Sequence, residues 1–513
     1  MIKKLEKNLG IIALSIVMVL SMMGCSDSED SSTVVGEYNG WEESDKDFSE
    51  YKTPGSQENA YAYSTFFLPS IDGIKQPYVG DPMPFYEDGV YYIYYLKEGG
   101  DSYNHSIYLA TTTDFVTYEE QQEPVLEANR SGGQDGWIGT GSVVKIGETY
   151  YFFYTGHSSA SDCEYKEKIM VAKSDNLTSF EKVEGWEIIP DTSLGQKLDF
   201  RDPQAYYDEV TKNITMTVTA SQSGTARILK YTVSEDLSSY SYDGIIFTDP
   251  IGEVYNLECS DTFQIGNKYY LTYSAQDDTL WYAMSDTPYG PYSEPKRLEG
   301  KLFYAAKHVE NEDNLYMVGW TRRSGSPSST TEVSAWGGNL AAQKIEQLED
   351  GQLVLAPIDE VSNSFSKERK LMIKDTEYTI DAGSLYSYQD TFMSFESFKL
   401  EGNFKFESTG HFGLAFTYGQ DESEDKMIII DPKNNVMKLA FGGGSTVITE
   451  MPIELEPGKE YHFTYIQEGS AGIFYIDHVG AMSVRLYGTT GKPIRIFAGN
   501  NQVTFSSLKE YTK

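Results

Sequence analysis

The stretch Asp88-Gly89-Val90-Tyr91-Tyr92-Ile93-Tyr94-Tyr95 decides the fold, because it joins a tight-turn pair to a run of aromatic and β-branched residues. Asp-Gly favours a β-hairpin turn, and Val, Ile and Tyr favour the strand that follows it. Similar turn-and-strand phrases occur four more times, at residues 146–154, 211–218, 265–273 and 311–318. The repetition predicts a protein built from consecutive hairpins.

A second phrase follows each of the first four hairpins, in which a Ser or Thr precedes a polar turn and a large apolar side chain. It occupies residues 113–118, 174–180, 234–240 and 285–289. Two phrases that recur in the same order every 45 to 65 residues, roughly, mark a unit of about four strands, which is the size of a propeller blade. The sequence therefore predicts an all-β fold that begins with a five-bladed β-propeller over residues 76–362.

The residue pattern of the sequence changes after about Ser364, where both repeated phrases stop. Longer strand-like runs take over, for example at residues 412–416, 427–430 and 461–465. Alternating strands of this length are typical of a β-sandwich. We expect a C-terminal β-sandwich over residues 363–513.

Three acidic residues lie at nearly equivalent positions in three of the predicted blades. Asp81 lies eight positions before Gly89, Asp202 lies ten before Lys212, and Glu258 lies eight before Gly266. A residue just before the first hairpin turn of a blade belongs to the innermost strand, so these acids are predicted to meet at one mouth of the propeller. Acids brought together raise one another's pKa values, a cost that a purely structural site would avoid.

Converging carboxyl groups fit the cleavage of a glycosidic bond. One carboxylic acid protonates the leaving oxygen, and a second carboxylate attacks the sugar or activates a water molecule. The local sequence supports this interpretation, because Pro follows both Asp81 and Asp202, and Arg201 places a permanent positive charge beside Asp202. We therefore predict a glycoside hydrolase.

The motifs around these acids are Asp-Pro at 81–82, Arg-Asp-Pro at 201–203 and Glu-Cys at 258–259. Together they resemble glycoside hydrolase family 32, the β-fructosidases, which include invertases, inulinases and levanases. Further stretches that are similar to the family lie at residues 137–142, 154–156, 303–306, 319–320, 336–338, 350–353, 473–477 and 483–487. The resemblance covers about residues 75 to 513.

The resemblance implies a role for each acid. Asp81 would be the nucleophile that forms a fructosyl-enzyme intermediate, Asp202 would stabilise the transition state, and Glu258 would act as general acid and then as base. The reaction would retain the anomeric configuration and would need no metal or other cofactor. The substrate would be a sucrose-type oligosaccharide or a fructan such as inulin or levan. The residues expected to bind it are Arg201, Trp137, Thr140, Gly141, Ser142, Cys259 and Trp336.

Two positions depart from the family pattern. The family has Asn before the first Asp, where this chain has Gly80, and a Pro after Glu-Cys, where this chain has Ser260. The family Asn would hydrogen-bond the sugar, and a glycine has no side chain with which to do so. The fructosyl-binding side of the pocket is therefore where we expect a difference.

Two other interpretations are open at this point. The first is an inverting five-bladed hydrolase similar to the arabinanases and xylosidases, which would separate the two working carboxyl groups by about 6.5–9.5 Å rather than about 5–5.5 Å. The second is a non-catalytic glycan-binding lipoprotein on a degenerate propeller, with exposed Trp side chains as stacking platforms. Retention of all three acids favours an enzyme.

The N-terminus has the features of an export signal. Lys3, Lys4 and Lys7 precede a short apolar run, and Met22-Met23-Gly24-Cys25 resembles the processing site of a bacterial lipoprotein. We expect residues 1–24 to be a signal peptide, Cys25 to be lipidated, and residues 25–75, which are acidic and Ser-rich, to form a flexible tether. The predicted location is extracytoplasmic, with membrane contact only through the lipid.

The charge of the chain bears on its partners. The sequence has 77 acidic and 41 basic side chains, for a formal net charge of −36. Such a surface repels phosphate backbones, so nucleic acid is not an expected partner. The expected partner is an oligo- or polysaccharide substrate.

Overall fold

The computed structural model describes residues 37–39, 65–70, 77–98, 105–129, 132–158, 163–194, 196–250, 254, 256–323, 335–375 and 377–513. The predicted signal peptide and Cys25 lie outside these residues. No helix within the described ranges is both long and apolar enough to cross a membrane. The described residues are almost entirely β-structure, as predicted, and the first described element is a short strand, β1 (Glu37–Asn39).

Five antiparallel blades of four strands each follow. Blade 1 contains β2 (Tyr78–Glu87), β3 (Val90–Glu98), β4 (Ile107–Thr112) and β5 (Glu119–Glu120). Blade 2 contains β6 (Trp137–Ile146), β7 (Thr149–His157), β8 (Glu167–Ser174) and β9 (Glu181–Ile188). Blade 3 contains β10 (Gln196–Asp208), β11 (Asn213–Gln222), β12 (Thr225–Ser234) and β13 (Tyr240–Thr248). Blade 4 contains β14 (Leu257–Ile265), β15 (Lys268–Ala275), β16 (Thr279–Ser285) and β17 (Lys296–Glu299). Blade 5 contains β18 (Phe303–Glu310), β19 (Leu315–Arg323), β20 (Ala335–Gln347) and β21 (Leu353–Ala356).

The two repeated phrases are the turns of these blades, which confirms the predicted propeller. The first phrase connects the first and second strands, and its turn residues Asp88, Gly147, Lys212 and Gly266 have the positive φ angles that such turns require. The second phrase connects the third and fourth strands. In blade 1 its Asp114 carboxylate accepts hydrogen bonds from the backbone N–H groups of residues 116 and 117, so the polar residue of the phrase fixes the turn.

The first strand of every blade carries a β-bulge at the same level. Regular pairing with the second strand breaks after Gly80, Gly139, Arg201, Glu258 and Tyr304, which we call the pre-bulge residues. The residues that follow them, Asp81, Thr140, Asp202, Cys259 and Ala305, are the bulge residues. Four of these five have positive φ angles between 41° and 57°. A bulge re-aims the side chain at its position, and here five bulges surround one axis.

The chain then turns through helix α1 (Asp359–Ser364) into the sandwich. One sheet has the order β1-β24-β33-β26-β27-β28-β29 and the other the order β22-β34-β25-β30-β31-β32, with β23 beside β34. The strands are β22 (Lys367–Arg369), β23 (Tyr378–Ala382), β24 (Ser387–Met393), β25 (Ser397–Phe406), β26 (Phe412–Phe416), β27 (Lys426–Asp431), β28 (Val436–Phe441), β29 (Thr446–Pro452), β30 (Glu460–Glu468), β31 (Ala471–Ile476), β32 (Gly480–Arg485), β33 (Pro493–Ala498) and β34 (Asn501–Thr512). Buried Phe, Ile and Leu side chains from both sheets form one core between them.

Arg485 of β32 joins the sandwich to the propeller. Its guanidinium donates to the backbone oxygens of Arg322 (2.7 Å) and Thr321 (2.8 Å) and to the side chain of Asn339 (2.8 Å). It is buried, with 2% of its surface exposed. A buried guanidinium with this many acceptors fixes the two domains in one relative position.

Part of the segment that was predicted to be a tether is folded. Phe66 and Phe67 are buried, and the N–H of Phe66 donates to the carboxylate of Glu468 in the sandwich. The backbone oxygen of Phe67 accepts a hydrogen bond from Leu340 in blade 5. Two adjacent Phe side chains can bury enough apolar surface to hold this segment, so the residues around Phe66 and Phe67 are packed against both domains.

Candidate active site

The three predicted acids meet in one pocket at the mouth of the propeller. The cavity has a volume of about 240 Å³, smaller than the roughly 300–1,000 Å³ of sites for drug-sized ligands. Its walls are formed by Asp81, Leu96, His105, Trp137, Ile138, Gly139, Thr140, Thr155, His157, Glu167, Arg201, Asp202, Glu258, Cys259, Tyr304 and Trp336. A cavity of this size and polarity suits a single sugar ring.

Asp81 is held by donors from two other blades. Thr140 Oγ1 donates to its Oδ2 (3.1 Å), and Trp320 Nε1 donates to its Oδ1 (3.2 Å). Burial and the nearby carboxylate of Asp202 raise the pKa of Asp81 to about 7, although both donors favour the ionised form. The side chain is therefore fixed in direction and able to change charge near neutral pH.

Asp202 is the most enclosed of the three acids, with 3% of its surface exposed. The backbone N–H of Cys259 donates to its Oδ2 (2.8 Å), and its own backbone N–H donates to Thr155 Oγ1 (2.9 Å). Burial raises the pKa of Asp202 to about 6, against the lowering effect of the Arg201 charge and the Cys259 N–H. The bulges of blades 3 and 4 thus contact each other through this carboxylate.

Glu258 lies among polar groups. Arg201 Nη2 donates to its Oε1 (2.8 Å), and the hydroxyl of Tyr304 donates to its Oε2 (2.5 Å). Arg201 is itself held from behind, because its Nη1 also donates to Asp199 (2.6 Å) and to Glu167 (3.2 Å). Two fixed donors leave the Glu258 carboxyl group one defined orientation, facing the pocket that Asp81 and Asp202 also line.

The acids are not quite equivalent in register. Asp81 and Asp202 are bulge residues, whereas Glu258 is a pre-bulge residue, equivalent to Gly80 and Arg201. The predicted near-equivalence therefore includes an offset of one residue for Glu258. The offset places Arg201 and Glu258 at the same level of adjacent blades, which is why they can form an ion pair.

Aromatic side chains form the other side of the pocket, and we call Trp336, His105 and Trp137 the aromatic wall. The rings of His105 and Trp336 are parallel within 5° with centroids 4.9 Å apart, and His105 lies 5.5 Å from Trp137. Burial lowers the pKa of His105 to about 4, so its ring is uncharged at neutral pH. One side of the pocket is thus rich in charge and the other is aromatic.

Five of the seven residues predicted to bind substrate line this pocket: Trp137, Thr140, Arg201, Cys259 and Trp336. Gly141 and Ser142 do not. The backbone oxygen of Gly141 accepts from Lys307 Nζ (2.9 Å), and Ser142 Oγ bridges the backbone of Pro203 and Ala205. Both residues connect blades beneath the pocket, since the bulge at Thr140 turns the strand away from the mouth.

Sequence reasoning missed the residues that position the acids. Tyr304 and Trp320 come from blade 5 and Glu167 from blade 2. Tyr304 and Trp320 lie in stretches that resemble the family, at residues 303–306 and 319–320, but neither was predicted to contact the acids. Tyr304 could have been identified from the repeat, because it lies seven residues before the fifth hairpin phrase, as Glu258 does before the fourth. In the part of the chain that the structure describes, no group of three or more His, Cys, Asp or Glu side chains is arranged to hold a metal ion.

Comparison with known protein families gives a match that covers most of the propeller. The model of the glycosyl hydrolases family 32 N-terminal domain matches residues 74–357. A sucrose-6-phosphate hydrolase from Escherichia coli is 24% identical over 402 residues, which are 74% of this chain and 80% of that protein. The region that the family model matches contains all three acids.

Solved structures show the same fold. Fructan 1-exohydrolase IIa from Cichorium intybus superposes with a TM-score of 0.69 at 14% identity, over 87% of this chain and 96% of that one. Exo-inulinase from Aspergillus awamori also gives a TM-score of 0.69 at 14% identity, over 89% and 99% of the two chains. Since the family model matches more than half of the sequence, the chain belongs to glycosyl hydrolase family 32 and is a glycosidase.

Proposed function

We propose that this enzyme hydrolyses β-fructosidic bonds in sucrose-type oligosaccharides or fructans, with retention of configuration. The observation that carries the proposal is the convergence of Asp81, Asp202 and Glu258, each held by donors from another blade, in a cavity sized for one sugar ring. The names of the similar proteins, a sucrose-6-phosphate hydrolase, a fructan 1-exohydrolase and an exo-inulinase, support a fructosyl substrate.

In the first step, Glu258 in its acid form gives a proton to the glycosidic oxygen while an Asp81 oxygen attacks the anomeric carbon of the fructosyl unit. The carbon–oxygen bond to the leaving sugar breaks, and its electron pair takes up the proton. An ester between Asp81 and the sugar results. Asp202 stabilises the positive charge that develops on the sugar ring in the transition state.

In the second step, Glu258 as carboxylate accepts a proton from a water molecule, which attacks the same carbon and displaces Asp81. Two displacements at one carbon restore the original configuration. The hydrogen bonds from Thr140 and Trp320 fix the direction of Asp81 for both steps. Arg201 and Tyr304 do the same for Glu258.

The charges of the pocket favour a neutral substrate. Four carboxyl groups line it, those of Asp81, Asp202, Glu258 and Glu167, against one guanidinium, that of Arg201, which Glu167 and Glu258 already engage. A phosphate group in or beside this pocket would be repelled. We expect kcat/KM for sucrose to exceed that for sucrose 6-phosphate by at least about tenfold.

The proposal is tested by measuring sugar release from sucrose, inulin and levan by the wild type, Asp81→Ala and Glu258→Ala. We expect fructose or fructo-oligosaccharides from the wild type and at least about a thousandfold less from either variant. NMR of the first-formed anomer separates retention from inversion. An inverted product would favour the arabinanase-like interpretation, and no product from these sugars, arabinan or xylan would favour a non-catalytic glycan-binding protein.

We also propose that the protein is exported and anchored through a lipidated Cys25. The proposal rests on the lipoprotein-like sequence before that residue. Cell fractionation of wild type and Cys25→Ala tests it. We expect the wild type in the membrane fraction and the variant outside it, and an equal distribution of the two would refute the anchor.

A further inference from the structure

On the wall beside Asp81, the indole of Trp336 fills the space that a side chain at position 80 would need. A β-carbon built at position 80 would lie 2.0 Å from Cη2 of Trp336 and 2.4 Å from its Cζ2. Carbon atoms that are not bonded to each other do not approach this closely, so any side chain at position 80 displaces the indole. The absence of a side chain at 80 is therefore what lets Trp336 lie against the strand that carries the acid.

Trp336 in this position touches two functional parts of the pocket. Its ring is stacked on His105 with a 4.9 Å centroid separation, and it meets Trp320 edge-on at 6.1 Å. Trp320 in turn donates to Asp81 Oδ1. The indole thus connects the aromatic wall to the hydrogen bond that orients the acid.

The same ring changes the chemistry of one side of the pocket. Where an amide at position 80 would offer a donor and an acceptor, the pocket presents aromatic carbon from Trp336. Farther along the wall, Trp137 is 36% exposed and continues the aromatic surface. A sugar ring has an apolar face of C–H groups that packs well on such surfaces, and its hydroxyls can then point to the acids.

We propose that Gly80 and Trp336 are a specificity-determining pair, in which the glycine admits the indole and the aromatic wall binds the C–H face of an uncharged sugar unit. This inference rests on the proposed hydrolysis of neutral fructosides. Recognition on this side depends on shape and stacking, and recognition on the opposite side depends on the carboxylates and Arg201.

The pair is tested with Gly80→Ala, Trp336→Phe and the double variant. Phe lacks the outer indole atoms that lie against Gly80, so it makes room for a methyl group. We expect Gly80→Ala to lower kcat/KM by about 30-fold and Trp336→Phe by about threefold, mainly through KM. The double variant should resemble Trp336→Phe alone, because the clash that harms Gly80→Ala no longer exists.

Gly383→Ala is the matched control, since Gly383 has an ordinary backbone angle and nothing within 4 Å of a built β-carbon. It should change neither activity nor stability. A double variant whose loss equals the product of the two single losses would overturn the proposal, because independent residues do not rescue each other.

Thermal unfolding gives a readout that does not depend on the substrate. Gly80→Ala should lower Tm, and adding Trp336→Phe should restore most of the loss. If wild type releases no fructose while the Tm rescue is seen, the proposed substrate is wrong and the steric pair stands. If fructose is released but neither rescue is seen, the pair is wrong and the proposed function stands.

Discussion

Asp81 is the residue in which function and stability conflict most directly. Burial and the Asp202 carboxylate raise its pKa from 3.8 to about 7 in the folded protein. Between these two values the unfolded chain has released the proton and the folded chain still holds it. Raising the pH through this range therefore favours the unfolded state, and stability falls.

Replacing this acid with a neutral amide removes that loss. We expect Asp81→Asn to raise the free energy of unfolding by ~2 kcal/mol at pH 8 and by little at pH 4, as measured by urea unfolding at both pH values. Asp236→Asn is the control of opposite sign, because hydrogen bonds from Ser238 lower the pKa of Asp236 to about 2, so its carboxylate stabilises the folded state above pH 4. An Asp81→Asn variant less stable than wild type at pH 8 would contradict the assignment.

The hydrogen bond of Tyr304 leads to a prediction about kcat. Its hydroxyl donates to Glu258 Oε2, and Tyr304→Phe removes this donor while Arg201 still holds the other oxygen. We expect kcat to fall by about tenfold with little change in KM, because the lost hydrogen bond orients a reacting group. Tyr270→Phe is the matched control: its hydroxyl donates to Gly351 in the blade packing, so its loss should reduce stability and leave kcat unchanged.

At the level of residues, the sequence identifies the acids better than their partners. Asp81, Asp202 and Glu258 are recognisable because each recurs at nearly the same distance before a hairpin turn. Trp320 and Glu167 have no such pattern, since their roles depend on contacts between blades that are far apart in sequence. Gly141 and Ser142 share a motif with Thr140, yet the bulge sends only Thr140 into the pocket.

The bulged inner strands are the elements that make the site. Each bulge residue points where a regular strand would not aim it. Hydrogen bonds join a bulge to the second strand of the preceding blade, as from Asp202 N–H to Thr155 and from Ala305 N–H to Ser274. The hairpin turns that define the blades can be predicted from Asn, Asp and Gly. The bulges cannot, because Asp, Thr, Cys and Ala at the bulge positions share no turn chemistry.

Strand β18 of blade 5 adds a charge beneath the site. Lys307, with 1% of its surface exposed, donates to the backbone oxygen of Gly141 (2.9 Å) and to Gln204 Oε1 (2.8 Å). Burial raises the pKa of Asp202, and the Lys307 charge is among the groups that lower it. The ammonium therefore helps to keep Asp202 ionised.

Lys307→Met tests this role. Without the positive charge the pKa of Asp202 rises further. The steep part of the kcat/KM profile below about pH 6, where both Asp81 and Asp202 are protonated, should therefore move to higher pH, by about 0.3 units. A pH profile from pH 4 to 8 measures the shift. Loss of stability with an unmoved acid limb would show that Lys307 only supports the packing of the blades.

On the scale of the whole molecule, the sandwich stabilises the last two blades. Glu299 at the end of blade 4 accepts a hydrogen bond from Ser483 N–H, and Arg485 contacts the backbone of β19. Phe66 and Phe67 add the segment that precedes blade 1 to the same region. The division into propeller and sandwich was predicted from the change in residue pattern near residue 364. The contacts of Arg485 that clamp the two domains together were not predicted, since nothing in the sequence indicates which Arg is buried.

Arg485→Lys should loosen the interface. Lysine cannot reproduce the forked set of donors, so buried carbonyl oxygens lose their partners, and we expect a loss of ~3 kcal/mol. Calorimetry should show the unfolding of the two domains separating into two transitions. Arg495→Lys is the comparison, because Arg495 pairs with Asp425 inside the sandwich, and its loss should lower the sandwich transition alone. A single transition in Arg485→Lys with an unchanged Tm would contradict the clamp.

The propeller closes where its first and last blades meet, at the single bridge between Val79 and Gly338. Asp81 comes from the first blade, while Tyr304, Trp320 and Trp336 come from the last. During synthesis Asp81 thus emerges more than two hundred residues before Tyr304, Trp320 and Trp336. A nascent chain shorter than about residue 336 has no complete catalytic centre, so the enzyme is latent until the ribosome has nearly finished the propeller.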